Sequence, residues 1–125
     1  MTETSSFSAV TTVAVPVSDQ NRSKAILEGL GLRTTLDTEL QPGFRWVELA
    51  PPDGGATVSL VLAGKQLPAG IDTGIRFSTA DARAAHDAVV RLGLDAGELL
   101  DWETAPLMFS FLDGDGNRYY VTEAG

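Results

Sequence analysis

The chain has 125 residues, with nine basic against seventeen acidic side chains for a formal charge of −8, 43% hydrophobic and 21% charged residues, and no cysteine. That length suits one domain around one core, and the lack of cysteine excludes disulfides, thiolate nucleophiles and thiolate metal sites. A negative field repels phosphate backbones and anionic lipid, so no nucleic acid is expected as a partner, while a cationic small molecule would be favoured on approach.

In chain order, the opening "MTETSSFS" has neither a basic n-region nor an apolar h-region, so residues 1–8 read as a flexible tail and the cytoplasm is the expected location. No run reaches the roughly 18 apolar residues needed to span a bilayer, so no membrane is expected. "AVTTVAVPV" is rich in β-branched residues and predicts a strand that ends at Ser18 or Asp19, either able to cap a helix. The helix carries Ile26, Leu27 and Leu30 on one face and stops at Gly29 and Gly31. "LRTTLDTEL", "GFRWVELA" and "ATVSLVLAG" then predict three strands, divided by Gln41-Pro42-Gly43 and "PPDGG".

"GKQLPAG" reads as a linker, and the pattern then begins again. "TGIRFST" predicts a strand, and Asp81 opens a helix whose Ala82, Ala85, Val89 and Leu92 share a face. "GELLDWE", "LMFSFLD" and "NRYYVTE" predict three more strands. The stop Leu30-Gly31-Leu32 recurs as Leu92-Gly93-Leu94, with Gly31 and Gly93 62 positions apart. A doubled β-α-β-β-β unit results, and since neither half can bury both faces of its sheet alone, the halves pack on each other or on a second copy.

"FLDGDGN" has the look of a calcium loop. Counted from Asp113, however, the position that needs glycine holds Arg118 and the position that needs a closing acid holds Ala124, so the segment reads as a tight turn. His86 is the only histidine and sits in mid-helix, a place for packing or surface, which leaves too little imidazole for a transition-metal site. No Ser-His or Cys-His pair can be assembled. Glu48, Asp101 and Glu103 stay open as acid–base groups should burial raise them. Strand alternation puts Phe44, Trp46 and Glu48 on one face, and Arg118, Tyr120 and Thr122 on another.

"VAVPVSDQNRS" leading into "LGL", the "RWVELAPP" strand and the "FLDGDGN" turn together resemble the vicinal oxygen chelate superfamily of glyoxalases, bleomycin-resistance proteins and extradiol dioxygenases. The turn looks like that family's Asp-Pro-Asp-Gly-Asn, with Gly114 in place of proline. The resemblance covers roughly residues 9–123 and implies an α+β fold. Two βαβββ units, residues 9–63 and 71–123 of a single domain 9–125, would form a curved mixed sheet with a groove between them. Metal-dependent members hold an ion there on histidines, or a His/Gln mixture, and two glutamates. The matching positions here fall at Thr12, near Ser59 or Val61, near Gly74, and at Tyr120, so neither a metal nor another cofactor is expected. The resemblance instead implies a metal-independent protein that binds a small molecule, aromatic or cationic, such as an antibiotic or an aromatic metabolite. Thr12, Trp46, Ser59, Trp102, Met108 and Tyr120 would line the groove, and two copies would form a homodimer. The alternative is an isomerase, lyase or ring-cleaving dioxygenase with an atypical metal site or none.

Overall fold

The structure is a computed structural model and describes residues 6–124; residues 1–5 of the expected tail lie outside the described residues. Strand β1 (Thr12–Val17) leads to helix α1 (Gln20–Gly29), then β2 (Arg33–Gln41), β3 (Phe44–Ala50) and β4 (Thr57–Leu62). The second half repeats the series as β5 (Asp72–Thr79), α2 (Ala82–Arg91), β6 (Asp95–Ala96), β7 (Met108–Leu112) and β8 (Arg118–Glu123). Each half forms a four-stranded mixed sheet of the same order, β1-β4-β3-β2 and β5-β8-β7-β6. In both, the first strand lies parallel to the last, a pairing the intervening helix permits by carrying the chain back across the sheet. Among the described residues no helix is long and apolar enough to cross a membrane.

Local chemistry sets the helix ends. Asp19 and Asp81 adopt extended backbone, and their carboxylates accept from the N–H groups of Arg22 and Ala84, satisfying donors that the first turn leaves unpaired. Of the two cap candidates for the first helix, Asp19 takes the position. Gly31 and Gly93, at φ +103° and +79°, let the chain leave each helix through the left-handed region.

One apolar core joins the halves. Val15, Val17, Leu27, Val47, Leu49, Val58 and Leu60 from the first meet Val89, Phe109, Phe111, Tyr119 and Val121 from the second. Phe77, Tyr119 and Phe111 stack in series, with ring centroids 5.8 and 5.3 Å apart. His86 is half-buried in this packing, edge-on to Phe109 with centroids 5.0 Å apart, its Nε2 2.9 Å from the Gly97 carbonyl.

That histidine contact explains a departure from the sequence reading. The expected sixth strand "GELLDWE" does not form; the ladder pairs Asp95 and Ala96 with Leu112 and Phe111, then reduces to one bridge between Leu100 and Met108. The Gly97 carbonyl bonds His86 rather than a ladder partner, and a Cβ on Gly97 would stand 3.0 Å from the Ser110 carbonyl oxygen. Trp102 therefore lies outside any strand and is 58% exposed.

The turn between β7 and β8 is a fastener. Asn117 is fully buried; its amide oxygen accepts from the N–H groups of Gly70 and Ile71 at 2.8 and 3.0 Å, and its amide nitrogen donates to the Pro16 carbonyl and to Asp113 Oδ2, both at 2.9 Å. Asp113 Oδ1 accepts from the N–H groups of Asp115 and Asn117. Asp115 reaches Ser18 and pairs with Arg22 at 3.3 Å. One side chain thus ties the first strand, the linker and the last hairpin together. Truncating it strands two part-buried N–H groups and the buried Pro16 carbonyl, so Asn117→Ala should lower the unfolding free energy by about 2 kcal/mol in urea titrations. A loss below about 1 kcal/mol would show the fastener to be dispensable.

Candidate functional site

Each sheet has one face on the core and helices and one turned away. On the first sheet the register Ala14↔Ser59 and Glu48↔Ser59 places Thr12, Ala14, Trp46, Glu48, Thr57 and Ser59 on the outward face. Their polar groups are committed to one another. The Thr12 and Ser59 hydroxyls share a hydrogen bond of 2.5 Å, and Thr12 Oγ1 also donates to the Thr57 carbonyl. Trp46 Nε1 donates to Glu48 Oε1 at 2.8 Å, while Thr57 Oγ1 donates to Glu48 Oε2 at 3.1 Å. Trp46 is half-buried and meets Phe44 edge-on, centroids 6.0 Å apart; Ser59 is fully buried beneath its neighbours. Leu36, paired with Glu48, together with Leu40 and Phe44 leaves apolar surface exposed near this face.

On the second sheet a hollow of about 280 Å³ is lined by Arg76, Glu98, Leu100, Met108, Ser110, Tyr120 and Thr122, with Phe109 and Val121 at its base. The Tyr120 hydroxyl donates to Asp72 Oδ2 at 2.5 Å, and Asp72 Oδ1 accepts from the Gly74 N–H at 3.0 Å. The Arg76 guanidinium carbon lies 4.2 Å from the centre of the Tyr120 ring. Arg118 Nη1 donates to Ser110 Oγ at 2.8 Å.

Met108 and Tyr120 therefore meet in one hollow. Thr12, Trp46 and Ser59 meet on the other sheet, and Trp102 joins neither group. A larger cleft of about 690 Å³ opens between the units, but none of the six expected residues lines it. Its apolar wall of Leu32, Val58, Val89, Phe111 and Val121 belongs to the common core, which marks it as the seam between the halves. Asp72, Arg76 and the Glu48–Thr57 link are site features that the sequence reading passed over. Alternation applied to "DTGIRFST" would have put Asp72 and Arg76 on the face of Tyr120.

The four positions that the family resemblance marks for metal ligands do not fit a divalent ion. Thr12 and Ser59 supply neutral hydroxyls already bound to each other, Val61 is apolar, Gly74 has no side chain, and the Tyr120 hydroxyl is held by Asp72. Among the described residues no three of His, Asp and Glu converge.

Residues 9–120 match the Glyoxalase/Bleomycin resistance protein/Dioxygenase superfamily, and the chain belongs to that family. It is similar to the solved structure of a superfamily member from Sphaerobacter thermophilus DSM 20745, at 26% identity and TM-score 0.83 over 94% of this chain and 98% of the other. It is also similar to TnmS3, an antibiotic binding protein from Streptomyces sp. CB03234, at 25% identity and TM-score 0.84 over 98% and 100%. The fosfomycin resistance protein FosX from Listeria monocytogenes shares the fold at 13% identity and TM-score 0.70, over 98% and 96%. No curated protein sequence matches the chain.

The Tyr120 hydroxyl holds the Asp72 carboxyl below the usual carboxylate range, helped by the Gly74 N–H and the two arginines; the same bond to Asp72 pushes the Tyr120 phenol up. Near neutrality the pair is a carboxylate and a phenol. A depressed folded value means that Asp72 stabilises the fold above its unfolded pKa and loses that contribution as pH falls through the folded value. Tyr120→Phe removes the main cause, so the Asp72 carboxyl resonance, followed by carbon NMR, should titrate at higher pH than in the parent. An unchanged midpoint would contradict the assignment.

Proposed function

We propose that this protein is a metal-independent small-molecule-binding protein that sequesters an aromatic compound, an antibiotic or an aromatic metabolite, in the cytoplasm. The observation that carries the reading is the state of the four chelating positions, where hydroxyls bonded to protein partners, an apolar residue and a glycine stand in place of imidazoles and carboxylates. Binding then depends on shape, rings and polar contacts. Trp46 offers a half-buried ring whose N–H is already satisfied, and Tyr120 and Met108 supply a ring and a polarisable thioether to the second face. The likeness to TnmS3 over nearly the full length of both chains supports an antibiotic or a similar compound as the ligand class.

The groove is completed by a homodimer. Within one chain the hollow beside Tyr120 is lined by the second unit alone, residues 76–122. The Trp46 face, with the exposed Leu36, Leu40 and Phe44 nearby, is the apolar surface that a second copy would cover. The two units of the single domain 9–125, residues 9–63 and 71–123, would then each supply one wall.

A ligand that binds only the folded protein raises its melting temperature in proportion to the logarithm of concentration. In a thermal-shift screen of polycyclic aromatic antibiotics and aromatic metabolites, at least one class should raise the midpoint. Tyr120→Ala and Trp46→Ala should each remove the shift, while Val13→Ala, in the seam between the units, should keep it. Light scattering should report twice the chain mass. No shift with any class in a folded protein would contradict the reading.

A further inference from the structure

The second sheet holds a charge arrangement that net composition conceals. Arg76 pairs with Tyr120 across β5 and β8, and Ser110 pairs with Tyr120 across β8 and β7. Tyr120 is therefore flanked by Arg76 on one side and, through Ser110, by the head of Arg118 on the other. Among the described residues no carboxylate oxygen lies within 4.0 Å of either guanidinium, although both belong to a chain with seventeen acidic residues. Asp72, the nearest acid by register, has one oxygen taken by the Tyr120 hydroxyl and the other by the Gly74 N–H. On the other sheet, Glu48 is likewise engaged at both oxygens. The carboxylate that lines the hollow is Glu98, which is exposed.

Resting on the binding function proposed above, we infer that the ligand is an aromatic anion, a ring system bearing a carboxylate or similarly delocalised oxygen acid, with Arg76 as the residue that selects for it. The Arg76 guanidinium carbon sits over the Tyr120 ring at 4.2 Å, a cation–π contact that occupies none of its N–H donors. A planar fork of N–H groups matches two oxygens of one acid group, a geometry that an ammonium cannot copy. Met108, Leu100 and the base of the hollow take the ring. Arg118, with one donor on Ser110, adds positive potential from the neighbouring strand position. The favourable approach of cations that the net charge implies is thus a property of the far field, and the local site has the opposite preference.

Calorimetric titration at fixed ionic strength and pH 7 with three probes of nearly equal shape tests this: 2-naphthoate, 2-naphthamide and 2-naphthylmethylammonium. The parent protein should bind the naphthoate about tenfold or more tightly than the amide, and the ammonium more weakly still. Arg76→Gln should erase the preference for the naphthoate over the amide, and Glu98→Gln, which removes the like charge, should enlarge it. Circular dichroism and melting curves verify that each variant is folded. If the amide or the ammonium binds as tightly as the naphthoate, or if Arg76→Gln keeps the preference, the inference fails while the binding function stands. If none of the three binds to the folded parent, both fail.

Discussion

A single buried amide holds the molecule in its working shape. Asn117 has no exposed surface, and its four hydrogen bonds run to the linker, to β1 and to its own turn. Desolvating such a group is unfavourable unless every donor and acceptor finds a partner, and the partners at Pro16, Gly70 and Ile71 exist only when the two units sit in one relative position. The apolar core shared by the halves is non-directional and would tolerate small slips between them. The amide network is directional, so it fixes the register. The spread of one core across both units and this fastener between them leave Trp46 and Tyr120 only part-buried on the outward faces of their sheets.

Those faces are where the chemistry lies, and each disposes of its polar groups differently. On the first, the hydroxyls of Thr12, Ser59 and Thr57, the indole N–H and Glu48 satisfy one another, so the surface presented is a ring beside saturated polar groups. On the second, Asp72 and Tyr120 satisfy each other, while two guanidiniums keep donors to spare. On the first face a single carboxylate among neutral hydroxyls is a poor donor set for a divalent ion. A face with free guanidinium donors can still recognise an acid group. Family membership supplies the scaffold, and these side chains decide which of the family's many uses the scaffold can serve.

Where the controlling interactions are local, the sequence was easy to read. Asp19 and Asp81 cap helices through contacts three residues away, Gly31 and Gly93 end them, and the alternation of "GFRWVELA" and "NRYYVTE" sets the faces of Trp46 and Tyr120. Where a distant partner intervenes, the reading broke down. The strand expected at "GELLDWE" is interrupted because His86, eleven residues earlier, bonds the Gly97 carbonyl. The turn "FLDGDGN" was legible as a turn, but its role as fastener depends on Pro16, 101 residues away, and no local pattern announces that. Asp72 falls one residue before the strand expected at "TGIRFST", and the place of Arg76 beside Tyr120 is set by pairing with the distant last strand.

The central claim is that the groove positions of this family, as filled here, bind organic ligands without chelating an ion. Elemental analysis of untagged protein, purified without chelator from cells supplied with zinc, iron, manganese and nickel, tests it most directly. The account predicts far less than one equivalent of any of these metals per chain. A metal bound near one equivalent per chain, and lost when Tyr120 or Asp72 is replaced, would contradict it.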